Sequence, residues 1–188
     1  CDSVSDVCAQ TDANLMPYLQ IAQSGQRLSV GFRHGVRWTG NAPCRVLIPT
    51  QPALSDINVS GASSLFVEQP LTAPDVDINI SGASAVDVIV MARDADVNIS
   101  GSSSATLQGS THRMEVSVSG ASRLLSDKKD GRFLLVADKV EGSVSGSSVM
   151  NVHSDGEIGC NVSGASTIYY TGNARTHNSE CTGSSLII

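Results

Sequence analysis

Five carboxylates recur at one phase of a repeated phrase in this chain: Asp56, Asp77, Asp96, Glu115 and Glu141 each stand five residues before a glycine. If the repeats stack, these acids form a column with about 5 Å between neighbours. Like charges at that spacing repel and a cation between them relieves the repulsion, so Asp56, Asp77 and Asp96 are candidate calcium ligands of the oxygen type that ion prefers. Asp75 with Asp77, and Asp94 with Asp96, add pairs on one strand face, the raw material of a pectin-type lyase or a glycosidase. A lyase also needs an Arg or Lys base over its substrate, and a glycosidase needs two carboxyls facing each other across a groove. No pair departs from the repeat as a catalytic site should, and a solvated, screened charged edge accounts for the same column. C-x-x-C and H-x-x-x-H spacings are absent and His34, His112, His153 and His177 are scattered, so neither a zinc site nor a cofactor is expected.

A second chemistry sits in the N-terminal third. From Ala13 to Ser55 there is no acid, while Arg27, Arg33, Arg37 and Arg45 give that stretch a charge of +4 in a chain of net charge −6. Arg33 and Arg37 flank His34 and precede Trp38, the single tryptophan. Such a surface binds an anionic sugar or a phosphate group by bidentate and cation–π contacts. Equally, Trp38 caps an open end of the fold and the arginines face the acidic body or a second protomer. Tyr169 is expected to point outward and Tyr170 inward, which makes Tyr169 a candidate platform for a sugar ring. The acidic net charge argues against nucleic acid.

Cysteine usage bears on location. A mature bacterial lipoprotein begins with a lipid-bearing cysteine, and Cys1 fits that role, with an arbitrary start of the chain as the alternative. With Cys8, Cys44, Cys160 and Cys181 the count is five, which does not complete a disulfide framework. Cys160 and Cys181 lie one repeat apart but two positions out of register, so about 8 Å would separate their Cα atoms and both read as buried thiols.

The elements that must position these residues are written in the repeat itself. Gly61, Gly82, Gly101, Gly120, Gly146, Gly164 and Gly183 each sit in a phrase such as INVSGAS or INISGAS, at intervals of 21, 19, 19, 26, 18 and 19 residues. Positions four and two before each glycine are mostly apolar with a polar residue between, the period of a strand with one buried face. A further apolar position follows four residues after the glycine, from Leu65 to Ile187. Two or three short strands per repeat, with no helical pattern between repeats, predict an all-β, single-stranded, right-handed parallel β-helix with coils of about 19–21 residues. All six prolines precede residue 75, as expected if the later strands are hydrogen-bonded on both sides. One domain over 1–188 follows, with 1–55 as irregular N-terminal coils or a cap, 56–188 as seven repeats, and a surface loop inserted near 126–132.

Ser63, Ser84, Ser103, Ser122, Ser148, Ser166 and Ser185 follow the glycines two residues on. They line a hydroxyl strip for sugar or water, or, by the stronger reading, satisfy backbone groups at the bend and bond up the ladder. The glycine itself is expected to supply a positive φ or a close backbone approach.

The phrase V/I-S-G-A-S, and above all CNVSGASTIYYTGNARTHNSECTGSSLII at the C-terminus, resembles the head GIN domain of auto-transporter adhesins, a bacterial cell-envelope family. The likeness runs from about TDANLMPYLQ (11–20) to residue 188. It implies a right-handed parallel β-helix on an exported protein, often lipid-anchored, at the outer membrane or cell surface, and it carries no catalytic motif. Family members usually have a further strand-rich stretch before the segment resembling DANLMPYL, whereas only eleven residues precede it here. The expected function is a non-enzymatic adhesin or carbohydrate- and matrix-binding module. The alternatives are a calcium-dependent polysaccharide-active enzyme and a self-associating scaffold. The apolar ending SSLII makes a homodimer through one coil end the expected form of self-association.

Overall fold

The computed structural model describes residues 8–24, 27–37, 45–47, 54–67, 69–126, 128–129, 132–133 and 135–188. The candidate anchor Cys1 and the candidate binding residue Trp38 lie outside the described residues.

At the N-terminal end β1 (Cys8–Gln10) precedes a single 3-10 turn at Met16–Tyr18, then β2 (Leu19–Ser24), β3 (Arg27–Phe32) and β4 (Arg45–Leu47). β1 pairs antiparallel with β4, and β2 antiparallel with β3. β3 meets β5 (Asp56–Val59) in parallel, with Arg27 opposite Asp56, and there the regular stack begins. It continues through β6 (Ser64–Phe66), β7 (Leu71–Ile80), β8 (Ala85–Ile99), β9 (Ser104–Val118) and β10 (Arg123–Leu125). β11 (Lys128–Lys129) and β12 (Arg132–Phe133) pair only with each other, antiparallel. β13 (Leu135–Val144), β14 (Val149–His153), β15 (Glu157–Val162), β16 (Thr167–Thr171), β17 (Arg175–Thr176) and β18 (Leu186–Ile187) complete the stack, in which every pairing from β5 onward is parallel. The chain is a right-handed parallel β-helix of about six turns, the hand that parallel crossovers take when twisted strands feed the next coil.

Each coil has three sides. Side 1 leads into the glycine, side 2 leaves it, and side 3 is short, as at Val90–Ala92 or Leu135–Ala137. The strands are longer than the separate short ones expected: β8 and β9 each run for 15 residues, from side 2 through side 3 into the next side 1, and coil-to-coil backbone bonds such as Ser102 N–H to the Gly82 carbonyl at 2.8 Å continue across the glycine corner. Pro74 occupies the bend between sides 3 and 1, where the register passes from Ala73 opposite Ala92 to Asp75 opposite Asp94. A residue without an N–H is tolerated there.

The core is a narrow column of aliphatic and sulfur-bearing side chains. Ile78, Val97, Val116, Val140, Ile158 and Cys160 fill it from side 1, and Val86, Ala105, Leu124, Met150 and Ile168 from side 2. Among the described residues no aromatic side chain is buried there, which is why so few aromatics suffice. Burying each Val, Ile or Leu is worth roughly 1.5–3 kcal/mol, so these columns supply most of the stabilisation.

The corner explains the repeated phrase. Gly82 and Gly101 have φ of 80° and 81°, and a Cβ on Gly101 would stand 2.3 Å from the carbonyl oxygen of Gly82 in the coil below. Both the positive φ and the close approach are therefore required. The serine two residues on is buried in the middle coils, at Ser84, Ser103, Ser122, Ser148 and Ser166. Ser148 Oγ donates to the Ser145 carbonyl at 2.8 Å and accepts the Ser122 N–H at 3.4 Å, while Ser166 Oγ accepts the Ser148 N–H at 3.2 Å. The hydroxyls thus serve the ladder and do not form a strip open to ligands; only the terminal members, Ser63 and Ser185, are exposed or half-exposed.

The inserted segment is closed at its base by one side chain. Buried Ser126 accepts the Leu135 N–H at 2.8 Å and donates to the Leu135 carbonyl at 3.1 Å, and the β11–β12 pair stands beyond it. Of the two thiols expected to be buried, Cys160 is, and burial, with the Glu141 charge nearby, pushes its pKa up to about 12. Cys181 is exposed instead. It holds the same inward phase as Val162, with which it pairs, but no described coil follows to cover it.

Candidate functional site

Side 1 carries the chemistry, and the parallel register builds it. Asp56, Asp77, Asp96, Glu115 and Glu141 stand opposite one another in successive coils, and Asn58, Asn79, Asn98, Ser117, Ser143 and Asn161 form the next outward column. Within a coil the two columns touch: the Asn58 Nδ2–H donates to Asp56, and the Asn98 Nδ2–H donates to Asp96 Oδ1 at 2.8 Å. Alternation forces this, since Ile57 and Val97 between them point into the core.

A third column, two residues earlier, changes sign along the stack: Asp75, Asp94, Arg113, Lys139, Glu157 and Arg175. Arg113 reaches Glu141 at 3.2 Å and Glu115 at 3.7 Å, and Lys139 reaches Glu141 at 3.0 Å. At the bend, Arg93 binds Asp94 at 2.6 Å and Asp75 at 3.0 Å. A shallow cleft of about 160 Å³ opens between these columns, lined by Asp75, Asp77, Asp94, Asp96, Arg113 and Glu115. The hydrogen bond from Arg93, with its charge, holds the Asp94 carboxyl below the usual range, and Lys139, joined by Arg113, does the same to Glu141. The bond to Asp94 raises Arg93 in turn.

These directions bear on what the site can do. A general acid needs a carboxyl held protonated, and a lyase base needs a cation that gives up its proton readily. The shifted groups of side 1 move the opposite way. Asp56, Asp77 and Asp96 do form the expected column, yet among the described residues no three His, Cys, Asp or Glu side chains group as a metal ion requires.

The remaining candidates do not join this site. Arg33 and Arg37 are exposed in the turn that follows β3, where the Arg33 N–H donates to the Tyr18 carbonyl. Tyr169 is 48% exposed on side 2 of the coil that starts at Gly164, beside Asn151 of the coil before, and Tyr170 packs against the core as expected. Five strand spacings, about 24 Å, lie between the first coil and that of Tyr169, so the arginines and the tyrosine do not form one patch. Arg93, Arg113 and Lys139 were not singled out by sequence. Reading the column seven residues before the glycine, as well as the one at five, finds two of them.

Three crystal structures, each described as that of a putative adhesin, share the fold. That from Bacteroides fragilis NCTC 9343 matches with a TM-score of 0.81 at 20% identity, covering 97% of this chain and 82% of that one. That from Parabacteroides distasonis ATCC 8503 matches with a TM-score of 0.64 at 19% identity, covering 96% and 82%. The third, from Parabacteroides merdae ATCC 43184, gives 0.56 at 16% identity, covering 97% and 82%. No curated protein matches the chain. The family model described as "Putative auto-transporter adhesin, head GIN domain" matches residues 2–174, and the chain belongs to that family.

Proposed function

We propose that this domain is a non-catalytic binding module of the bacterial cell surface, holding an extended polysaccharide along side 1. The observation that carries the reading is the threefold pair Asp56–Asn58, Asp77–Asn79 and Asp96–Asn98, identical in composition, in register, and outward on one flat face. Each pair sets carboxylate oxygens beside an amide, acceptors and donors that match the neighbouring hydroxyls of a sugar ring. Successive pairs recur at about 4.8 Å, so a repeating polymer laid along the stack meets the same pair in every coil, and weak contacts multiply. The downward shifts of Asp94 and Glu141 favour binding over acid catalysis. Arg33, Arg37 and Tyr169 are secondary contacts for larger ligands, and export with Cys1 as lipid anchor belongs to the same proposal.

The test is an array of bacterial and host polysaccharides, read with and without calcium, followed by the Asn79→Ala/Asn98→Ala variant. Retention of one glycan class, strengthening with chain length and reduced at least about tenfold in the variant, is expected. A blank array overturns the reading. Binding that survives in the variant but is lost in Tyr169→Ala overturns side 1 as its location. Binding that needs calcium and disappears in Asp77→Asn replaces direct recognition with an ion-mediated one.

A further inference from the structure

Side 1 is the face that the molecule keeps uninterrupted. The inserted segment leaves its coil at Ser126 and rejoins at Leu135, between sides 2 and 3. The side 1 register passes it unbroken, with Glu115 opposite Glu141 and Ser117 opposite Ser143. A hydroxyl stands just before the glycine in every coil from Ser60 to Thr182, and none of these residues is buried. With the asparagine column beside it and the acid column beyond, side 1 is a lane of short polar side chains that carries no Phe, Tyr or Trp in any of these coils. The acid column stops at Gly159, which stands opposite Glu141. Five carboxylates, from Asp56 to Glu141, therefore mark the length over which the lane is complete.

This geometry selects the shape of a polymer. A pyranose chain joined through equatorial bonds at both ends of each ring stays extended and advances by about one ring length per residue, close to the ~4.8 Å between coils. A chain with an axial bond at each link winds, and falls out of step with the columns within a few coils. Successive rings of the extended ribbon face alternate ways. The lane accepts both, since a sugar hydroxyl donates and accepts and each coil offers a carboxylate beside an amide or a hydroxyl. Without an aromatic platform, the rings are met at their hydroxyl edges. Charge sets a further limit. Around the cleft Asp75, Asp77, Asp94, Asp96 and Glu115 outnumber Arg93 and Arg113, so a carboxylated or sulfated polymer is repelled in the coils where the Asp–Asn pair repeats.

We infer that the polymer held by side 1 is an uncharged, equatorially linked glycan ribbon of the cellulose, mannan or chitin type, lying along the stack with one ring per coil over about five coils. The inference rests on side 1 as the polysaccharide site and adds linkage, charge and length to it.

Titration calorimetry of the 188-residue chain against hexasaccharides tests it. Cello-, manno- or chitohexaose is expected to bind at least about tenfold more tightly than maltohexaose, which has the rings of cellohexaose joined through axial bonds, and than the mannuronate hexamer, a ribbon with a carboxylate on every ring. Across the series from disaccharide to heptasaccharide, affinity should climb with each ring and level off at about five. Ser117→Tyr, outward on its strand between Asn98 and Ser143, sets a bulky ring across the lane and should lower the plateau to about three rings, those over Asp56, Asp77 and Asp96. Equal or tighter binding of maltohexaose or of the mannuronate hexamer overturns the inference, and so does a plateau that Ser117→Tyr, with the parent's far-ultraviolet dichroism, leaves unchanged. If those other glycans are the ones held and Asn79→Ala/Asn98→Ala weakens them, side 1 stands as the site and only the ligand class falls. If no glycan binds at all, both fall.

Discussion

Gly61 and Gly101 occupy the same corner with the same backbone, φ of 82° and 81°, but they have different surroundings. A Cβ on Gly61 meets nothing within 4 Å, whereas one on Gly101 would stand 2.3 Å from the Gly82 carbonyl oxygen. Holding an L-residue at positive φ costs about 1–2 kcal/mol, and that is the whole expected loss for Gly61→Ala. Gly101→Ala adds the displacement of one coil from the next, at a corner where Ala121 N–H bonds the Gly101 carbonyl at 2.7 Å, and is expected to cost about 4 kcal/mol or more. Denaturant unfolding of the two variants separates the contributions, and equal losses would show that the coils slip past each other freely. The same logic orders the serines. Ser148 is wholly buried, its hydroxyl meeting the Ser145 and Gly120 carbonyls and the Ser122 N–H, whereas the Ser63 hydroxyl donates to the Ser60 carbonyl within its own exposed bend.

At the scale of the strand, side 1 is held in part by charges that respond to acid. Asp94 and Glu141 titrate below their ordinary range because Arg93 and Lys139 bond them. A carboxyl whose folded pKa is depressed adds stability above its unfolded pKa, near 4, and that stability is lost as pH falls through the folded value. Both groups face solvent, so the contribution is small and screened by salt. Thermal melting between about pH 6 and pH 3 should show a loss on acidification that is larger at low ionic strength, and Glu141→Gln should flatten the low-salt curve. An acid slope that neither salt nor the substitution changes would mean that these pairs do not contribute. The strands themselves were legible wherever a residue type repeated: the glycine phase, the inward valines and isoleucines, and the acid and asparagine columns all follow from stacking like on like. Arg113 and Lys139 escaped because their column reads Asp, Asp, Arg, Lys, Glu, and a column that changes sign leaves no period to detect. Cys181 misled for the opposite reason. Its phase is inward, but phase implies burial only where another coil lies above. The segment near 126–132 was recognisable as an insertion by its length, while the Ser126 hydroxyl that closes it bears no mark distinguishing it from the other serines.

The whole molecule is a stack in which each coil touches only its neighbours, so its stability is close to a sum of local steps. The N-terminal pair β2–β3 lies at one end and Ile188 at the other. A pull on the two termini therefore runs along the backbone hydrogen bonds that join the coils and loads one row of them at a time, as a zipper is loaded, in contrast to strands sheared lengthwise. A domain held at both ends would yield by peeling, coil after coil, at low force. Each freed coil of 19 residues would release about 60 Å of chain, at ~3.4 Å per residue less the spacing it occupied. Single-molecule stretching should record evenly spaced small steps, with one longer interval where the 26-residue coil opens. A single large rupture would mean that the coils fail together. Under load such a chain lengthens before it parts, so a sudden tug is taken up as extension, one coil at a time.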